Sequence, residues 1–169
     1  INNKDKFFFK NLILTCPFPQ LKKLSSKYLS KKILKFNPHM IANITVMAAY
    51  KNYKQIPIST IRFNNTAIAW AGQENTKNRF KSNQVLWTIQ CTEKFSKQTI
   101  NLFKKSKKKY EQLILKKFQD LTGYETKNIT YKNIHGWRYA YRDLKTNNLD
   151  PLWLNKFQLG VCGDWFFGN

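Results

Sequence analysis

Carboxylates are scarce in this sequence: nine Asp and Glu stand against thirty Lys and Arg, a formal charge of +21. Histidine is scarcer still. His39 and His135 are the only two, and neither has a carboxylate near it in sequence, so no acid–base pair can be read off the chain. The three cysteines, Cys16, Cys91 and Cys162, are odd in number and far apart, without Cys-x-x-Cys or Cys/His spacing. That excludes a disulfide framework and a zinc-type ligand set, so no metal is expected, and each cysteine reads as a small buried hydrophobe. No apolar run approaches the roughly 20 residues of a membrane span. Phe7 to Cys16 is short, is interrupted by Lys10 and Asn11, and leads into Pro17 and Pro19 without a small-residue cleavage site, unlike a signal peptide. Also missing are a Walker loop, a His-Glu-x-x-His helix and a Gly-x-Ser-x-Gly elbow. No Gly-x-Gly-x-x-Gly follows a strand, so the chain lacks a dinucleotide fingerprint of its own.

What is present is a foldable chain. Hydrophobic residues make up 42% and aromatics 15%, enough for a packed core and too much for disorder. Of the thirty basic residues only Arg62, Arg79, Arg138 and Arg142 are arginines. Proteins that read phosphate favour the bidentate arginine fork. A lysine excess accompanied by abundant Asn, Ile and Phe is instead what an AT-rich genome imposes on tolerant surface positions, which argues against nucleic acid as the main partner. Reduced cysteines and the lack of a membrane span lead to the expectation of a cytoplasmic protein. Ile1 in place of methionine, and Asn169 two residues after an aromatic pair, lead to the expectation of a segment of a longer protein.

Periodicity gives an order of strand, helix, several strands, helix, strand, loop and strand, an α/β or α+β arrangement. Phe7–Thr15 reads as a mostly buried strand. A helix opens at Pro17-Phe18-Pro19-Gln20, with Leu21, Leu24, Tyr28 and Leu29 at helical spacing. Ile33, Leu34 and Phe36 prolong it or form a second helix before Asn37-Pro38. Ile44–Ala49 suggests a central strand within Met40–Tyr50. Ser59–Phe63 and Ala67–Ala71 suggest a hairpin about Asn64-Asn65. Gln73–Asn83 is loop-like, Val85–Cys91 a strand, and Thr92–Gln98 begins helical structure. Phe103–Leu121 is the clearest helix: Phe103, Tyr110, Leu113, Ile114, Phe118 and Leu121 fall within an arc of about 140°. Lys104, Lys105, Lys108, Lys109 and Lys116 lie opposite and read as a solvated face. Gly123 ends it. Lys127–Ile134 alternates like a strand, Asn147–Trp153 is turn-rich, and Leu159–Cys162 is a last buried strand running into Gly163-Asp164.

The aromatics of the last third cluster as Trp137, Tyr139, Tyr141, Trp153, Trp165, Phe166 and Phe167. Gly163-Asp164 alone is an ordinary turn. At the end of a buried strand, however, such a pair can present a carboxylate to a sugar or polyol hydroxyl. The runs His135-Gly136-Trp137-Arg138-Tyr139-Ala140 and Leu159-Gly160-Val161-Cys162-Gly163-Asp164-Trp165-Phe166 together resemble the C-terminal signature of renalase-like flavoproteins of the amine oxidase superfamily. That signature reads His-Arg-Trp-Arg-Tyr-Ala and then Gly-Asp-Trp. Upstream, Leu12 to Gln20 resembles the family's strand and Thr-x-Pro-x-Pro-Gln turn. Ile68-Ala69-Trp70-Ala71 with Asn75-Thr76-Lys77-Asn78-Arg79 is similar to its Trp-containing strand and Asn-Ser-Lys-Pro-Gly-Arg loop, and Lys94-Phe95-Ser96 stands where Glu-Trp-Ser is frequent.

The resemblance implies part of a two-domain FAD/NAD(P)-binding flavoprotein fold, with a mixed-sheet substrate domain and flanking helices. Residues 1–36 would be a partial FAD-binding domain, 37–134 the substrate domain, and 135–169 the return to the FAD-binding domain. It implies FAD as cofactor, with Gly163, Asp164 and Trp165 on the cofactor and Trp137 and Tyr139 facing the flavin or substrate. No catalytic residue is assigned. Family knowledge further implies hydride transfer from an amine or dihydronicotinamide-type small molecule to flavin N5, followed by reoxidation by oxygen or another acceptor. Because the dinucleotide-binding segment is not among these residues, the expectation is an active parent protein and no activity from this chain alone. Three departures stand out: Gly136 replaces the usual Arg, Pro-Gly is absent before Arg79, and the glycine-rich continuation after Gly-Asp-Trp is reduced to Phe166-Phe167-Gly168-Asn169. The alternative is a basic nucleic-acid-binding or interaction module without enzymatic activity.

Overall fold

In the computed structural model the described residues are 7–79, 81–143 and 150–166, without the side chains of Lys32 and Asp164. Along the chain the elements are β1 (Leu12–Leu14), α1 (Phe18–Ser25), α2 (Lys31–Phe36), β2 (Met40–Tyr50), β3 (Thr60–Arg62), β4 (Ile68–Gln73), β5 (Val85–Cys91), α3 (Glu93–Thr99), α4 (Phe103–Thr122), β6 (Ile129–Arg142), β7 (Leu152–Leu154) and β8 (Leu159–Val161). This is a mixed α/β chain with two sheets. It divides into two compact units. Unit 1 comprises Ile1–Met40 and Tyr139–Asn169, and unit 2 comprises Ile41–Arg138.

Unit 1 is built on a three-stranded sheet in the order β1-β8-β7. β8 runs parallel to β1, in the register Leu12↔Leu159 to Leu14↔Val161, and antiparallel to β7. Its core joins Phe18, Leu21, Leu29, Ile33, Leu159, Val161, Trp165 and Phe166. α1 buries Phe18, Leu21 and Ser25, a stripe at helical spacing that leaves Leu24 exposed. Ser25 has left helical geometry (φ −133°, ψ 14°), so Leu29 reaches the core from beyond the helix rather than along it. α2 is the second short helix. Ser30 caps it, accepting from the Ile33 N–H at 3.4 Å, and Asn37 ends it in the left-handed region (φ 34°) just before Pro38.

The first strand departs from expectation. Only Leu12–Leu14 pairs, and Phe7, Phe8 and Phe9 are exposed. The cause lies in its partner. Gln158 (φ 48°) and Gly163 (φ 151°) turn the backbone on either side of β8 and hold it to three residues, so β1 can pair over no greater length. Trp153 belongs to β7 and not to a turn. Of the expected turn-rich stretch, Asp150 and Pro151 carry no regular structure, Leu152 also belongs to β7, and 147–149 lie outside the described residues, as do Phe167, Gly168 and Asn169.

Unit 2 is a five-stranded sheet in the order β3-β4-β5-β2-β6, antiparallel at β3–β4, β4–β5 and β5–β2. Strand alternation sends Ile44, Val46, Ala48 and Tyr50 of β2, and Val85, Trp87, Ile89 and Cys91 of β5, to one face. There they pack with Ile114, Leu115 and Phe118 of α4, and with Tyr124 and Ile134. Phe118 is central: its ring lies 5.6 Å from Trp87 and is stacked at 5.9 Å on Tyr124. The expected hairpin forms, with Asn65 left-handed (φ 57°) between β3 and β4. Thr92 caps α3 by accepting from the Phe95 N–H. Gly123 (φ 80°) ends α4 and donates its N–H to Gln119 O at 2.8 Å. Lys104, Lys105, Lys108, Lys109 and Lys116 are all exposed. The apolar arc differs from expectation, because Leu113 and Leu121 are exposed and Leu115 is buried. The buried face centres on Ile114, Leu115 and Phe118, which puts Leu113 and Leu121 beyond its edge, and Ser106 separately breaks helical geometry near the start (φ −127°, ψ 24°). β6 is also longer than Lys127–Ile134: it starts at Ile129 and runs on through His135–Ala140.

Candidate functional site

β6 carries the first part of the candidate site. A side chain at Gly136 would meet Phe103 Cδ1 at 2.8 Å and Ile100 Cδ1 at 3.1 Å, so position 136 faces the helices. Here Phe103 fills the space next to a position where the renalase-like signature has arginine. By strand alternation His135 and Trp137 point to the opposite, open face of the sheet. Their rings lie 4.2 Å apart, and Trp137 is 51% exposed.

The same open face takes the alternate residues of the other strands. Met47 on β2 is exposed and pairs across with Thr88 on β5, and Trp70 on β4 pairs across with Gln90. The Trp70 indole lies over Gly72, where any Cβ would collide with its ring carbons. Glu74, just past β4, accepts hydrogen bonds from Thr88 Oγ1 at 2.8 Å and Lys77 Nζ at 2.7 Å. Partial burial opposes its charge, but the Lys77 and Thr88 bonds and the charges of Lys77 and Arg79 outweigh this and hold the carboxyl below its ordinary value. Asn75 secures the loop, donating to Gln84 O at 2.9 Å and accepting from the Leu86 N–H at 2.8 Å. Met47, Glu74 and Thr88 were missed in the sequence reading. Period-two counting along β2 and β5 is the signal that finds the first and last.

The second part lies in unit 1. Because β1 and β8 are parallel, their carboxyl ends stand side by side, and Cys162 N–H continues the ladder to Leu14 O at 3.1 Å. Gly163 follows at φ 151°, a conformation open to glycine, and a Cβ there would lie 2.8 Å from Trp165 Nε1. Trp165 is fully buried. Its Nε1–H donates to Cys16 O at 3.1 Å, and its ring stacks at 4.0 Å on Phe166 and meets Phe18 edge-on at 5.3 Å. With no accessible surface, Trp165 can offer a cofactor the position of the Gly163 turn and not its ring. The Asp164 side chain lies outside the described residues.

Tyr139 is half-buried. The division of the chain falls between it and Trp137, and also separates Trp137 from Gly163, Asp164 and Trp165. Within unit 1, Arg142 is buried with its guanidinium 5.9 Å from the Phe36 ring. His39 does meet a carboxylate from far along the chain, Asp143 Oδ2 at 3.8 Å. Cys91 is buried as expected, and burial pushes its thiol up to about 12. Cys16 and Cys162 are only half-buried, since the turns after β1 and β8 leave them at the sheet end, although burial still raises the Cys16 thiol. Among the described residues no group of three His, Cys, Asp or Glu could hold a metal ion, and no helix is long and apolar enough to cross a membrane.

No protein-family model matches the sequence, and no curated protein matches it.

A bound FAD would need partners for its hydroxyl chain, its ring and its pyrophosphate. In unit 1, a glycine turn at the carboxyl end of a parallel strand leaves room for close approach of a hydroxyl-bearing chain; in unit 2, the exposed Trp137 offers an aromatic face. The pyrophosphate needs a glycine-rich strand-to-helix turn, and these residues have none.

Proposed function

We propose that this chain forms one side of an FAD-dependent oxidoreductase that passes a hydride from an amine or dihydronicotinamide-type substrate to flavin. In this reading the protein has the two-domain flavoprotein architecture, with unit 1 belonging to the FAD-binding domain and unit 2 to the substrate domain. One observation carries it: the chain leaves unit 1 after α2, builds a separate antiparallel sheet, and returns to pair its last strand in parallel with its first. Gly163-Asp164 thereby stands at the carboxyl end of a parallel pair, the edge at which open α/β sheets bind nucleotides. Bound flavin would supply the hydride acceptor, and the chain's own residues would position substrate and exclude water. Asp164 would accept a hydrogen bond from a cofactor hydroxyl, with Gly163 allowing the close approach. Trp137 would present its exposed indole to a planar ring, and Tyr139 stands with it as a residue facing the flavin or substrate. The phosphate-binding segment would come from residues outside these 169.

The test uses the polypeptide encoded by the complete reading frame that contains these residues. Asp164→Ala should lose most of the bound flavin, while Trp137→Ala should keep it and raise KM for the reduced substrate. Full flavin retention by Asp164→Ala would refute the assignment of that residue.

A basic interaction module remains as the second reading, favoured by the exposed lysine row of α4. It requires binding to DNA or RNA that falls steeply with salt.

A further inference from the structure

The strands of unit 1 read Leu12-Ile13-Leu14, Leu152-Trp153-Leu154 and Leu159-Gly160-Val161. These nine positions hold no charged or polar side chain, in a chain where 23% of residues are charged. A sheet with one face in water alternates apolar and polar residues. Continuous apolar strands, by contrast, belong to sheets covered on both faces, as sheets containing parallel pairs are.

Among the described residues only one face is covered. Leu12, Leu14, Leu152, Leu154, Leu159 and Val161 point to the side of α1 and α2 and join the unit 1 core. The opposite side presents a single row in register, Ile13↔Gly160↔Trp153. Ile13 is 61% exposed and Trp153 47%. Gly160 is buried beneath them: a Cβ there would lie 3.1 Å from the Trp153 ring and 3.3 Å from Ile13 Cγ1, so the two side chains close over the glycine. The row is therefore an exposed apolar patch in which an aliphatic side chain and an indole meet over a buried glycine.

Charge decides what fits it. Lys10, two residues before β1, and Lys156, two residues after β7, lie at the same end of the sheet, because Leu12, Leu159 and Leu154 are in register. Both are exposed. A second copy of the chain would bring the same lysines and a net charge of +21 against its own kind, which opposes self-association. We infer that this face is a docking surface for an amphipathic helix that is apolar along one side and acidic at its margins. Such a helix would lay its stripe across the exposed Ile13 and Trp153 side chains and set its carboxylates beside Lys10 and Lys156. The inference does not depend on flavin chemistry. It requires only strands that are apolar on both faces and a rim that is basic.

The test titrates the whole chain with two synthetic helical peptides that share a Leu/Ala stripe, one flanked by Glu and one by Lys. NMR follows the Ile13 methyls, the Gly160 amide and the Trp153 indole. The Glu-flanked peptide should shift these three signals saturably and bind roughly tenfold tighter than the Lys-flanked one. Ile13→Lys, at an exposed position, should weaken it by roughly tenfold or more, as loss of a central contact does. In that variant the Phe18 and Trp165 signals should be unchanged, certifying that unit 1 is still folded. Absence of binding, equal binding of both peptides, shifts mapping elsewhere, or a dimer of the chain abolished by Ile13→Lys would each overturn the proposal. So would a Trp153 indole already protected from soluble quenchers in the free chain.

Discussion

Gly163 is the residue on which the unit 1 turn depends. Its φ of 151° and the closeness of Trp165 Nε1, 2.8 Å from where a Cβ would sit, leave room for glycine alone. Gly163→Ala should destabilise unit 1 by about 1–3 kcal/mol, through backbone strain and displacement of the Trp165–Cys16 hydrogen bond. Chemical denaturation followed by Trp165 NMR or fluorescence reads the change, and an unaltered midpoint would remove the turn's structural role. The cysteines offer a second check at this scale. Burial pushes the Cys91 thiol up to about 12, so at pH 8 it is almost wholly protonated and shielded. A disulfide reagent should label Cys16 and Cys162 in the folded chain well before Cys91, whose reaction should wait for unfolding. Prompt labelling of all three thiols would contradict the packing of β5 against α4.

At the scale of elements, α4 fastens the five-stranded sheet of unit 2 through Phe118, which touches the rings of Trp87, Tyr124, Tyr50 and Phe63. Phe118→Ala should cost about 3–5 kcal/mol, the range for removing a buried aromatic. A loss near zero, measured by thermal or urea unfolding, would mean that α4 does not cover this face. The loop after β4 gives a pH-dependent counterpart. The Glu74 carboxyl is held below its ordinary value, so its contribution is fully present above the unfolded value near 4.5 and is lost as pH falls through the lower folded value. Glu74→Gln should therefore be less stable than the parent at pH 7, with the difference closing at acid pH. A difference independent of pH would show that the Lys77 and Thr88 bonds do not act through its charge.

Elements with a strong local signal were legible in the sequence: the β3–β4 hairpin at Asn64-Asn65, β5 and the end of α4 at Gly123 stand where residue patterns put them, while α2 is one of the two alternatives left open for Ile33–Phe36. The failures have long-range causes. β1 is short because turns around its partner β8 limit that strand, and nothing within Phe7–Thr15 carries that information. The apolar arc of α4 was centred on the wrong side, because the sheet packs against the Ile114, Leu115 and Phe118 face and leaves Leu113 and Leu121 exposed. Gly136 looked like a defect in a motif, and becomes intelligible only when Phe103, remote in sequence, is found against it. In the candidate site, the exposed Trp137 was reachable from the motif. Glu74 and Thr88 are joined by a hydrogen bond between β5 and the loop after β4, which no spacing rule anticipates.

Over the whole molecule, the discontinuous path is the feature with functional weight. Unit 1 is assembled from both ends of the chain around the parallel β1·β8 pair, and unit 2 is inserted between them. Unit 1 carries the Gly163-Asp164 turn at the carboxyl end of its parallel pair, and unit 2 carries an open sheet face with Trp70, Met47, His135 and Trp137. The strong positive charge is spread over exposed lysines such as those of α4 and is separable from that arrangement. Salt should therefore weaken adventitious polyanion binding while leaving cofactor retention largely intact.

The most direct test is the visible absorption spectrum of the protein produced from the complete reading frame containing these residues, purified without added cofactor and compared with its Asp164→Ala variant. The flavin account predicts a yellow protein that releases FAD on denaturation, and a variant that has lost most of that colour. A colourless, folded protein that also fails to take up added FAD would contradict it.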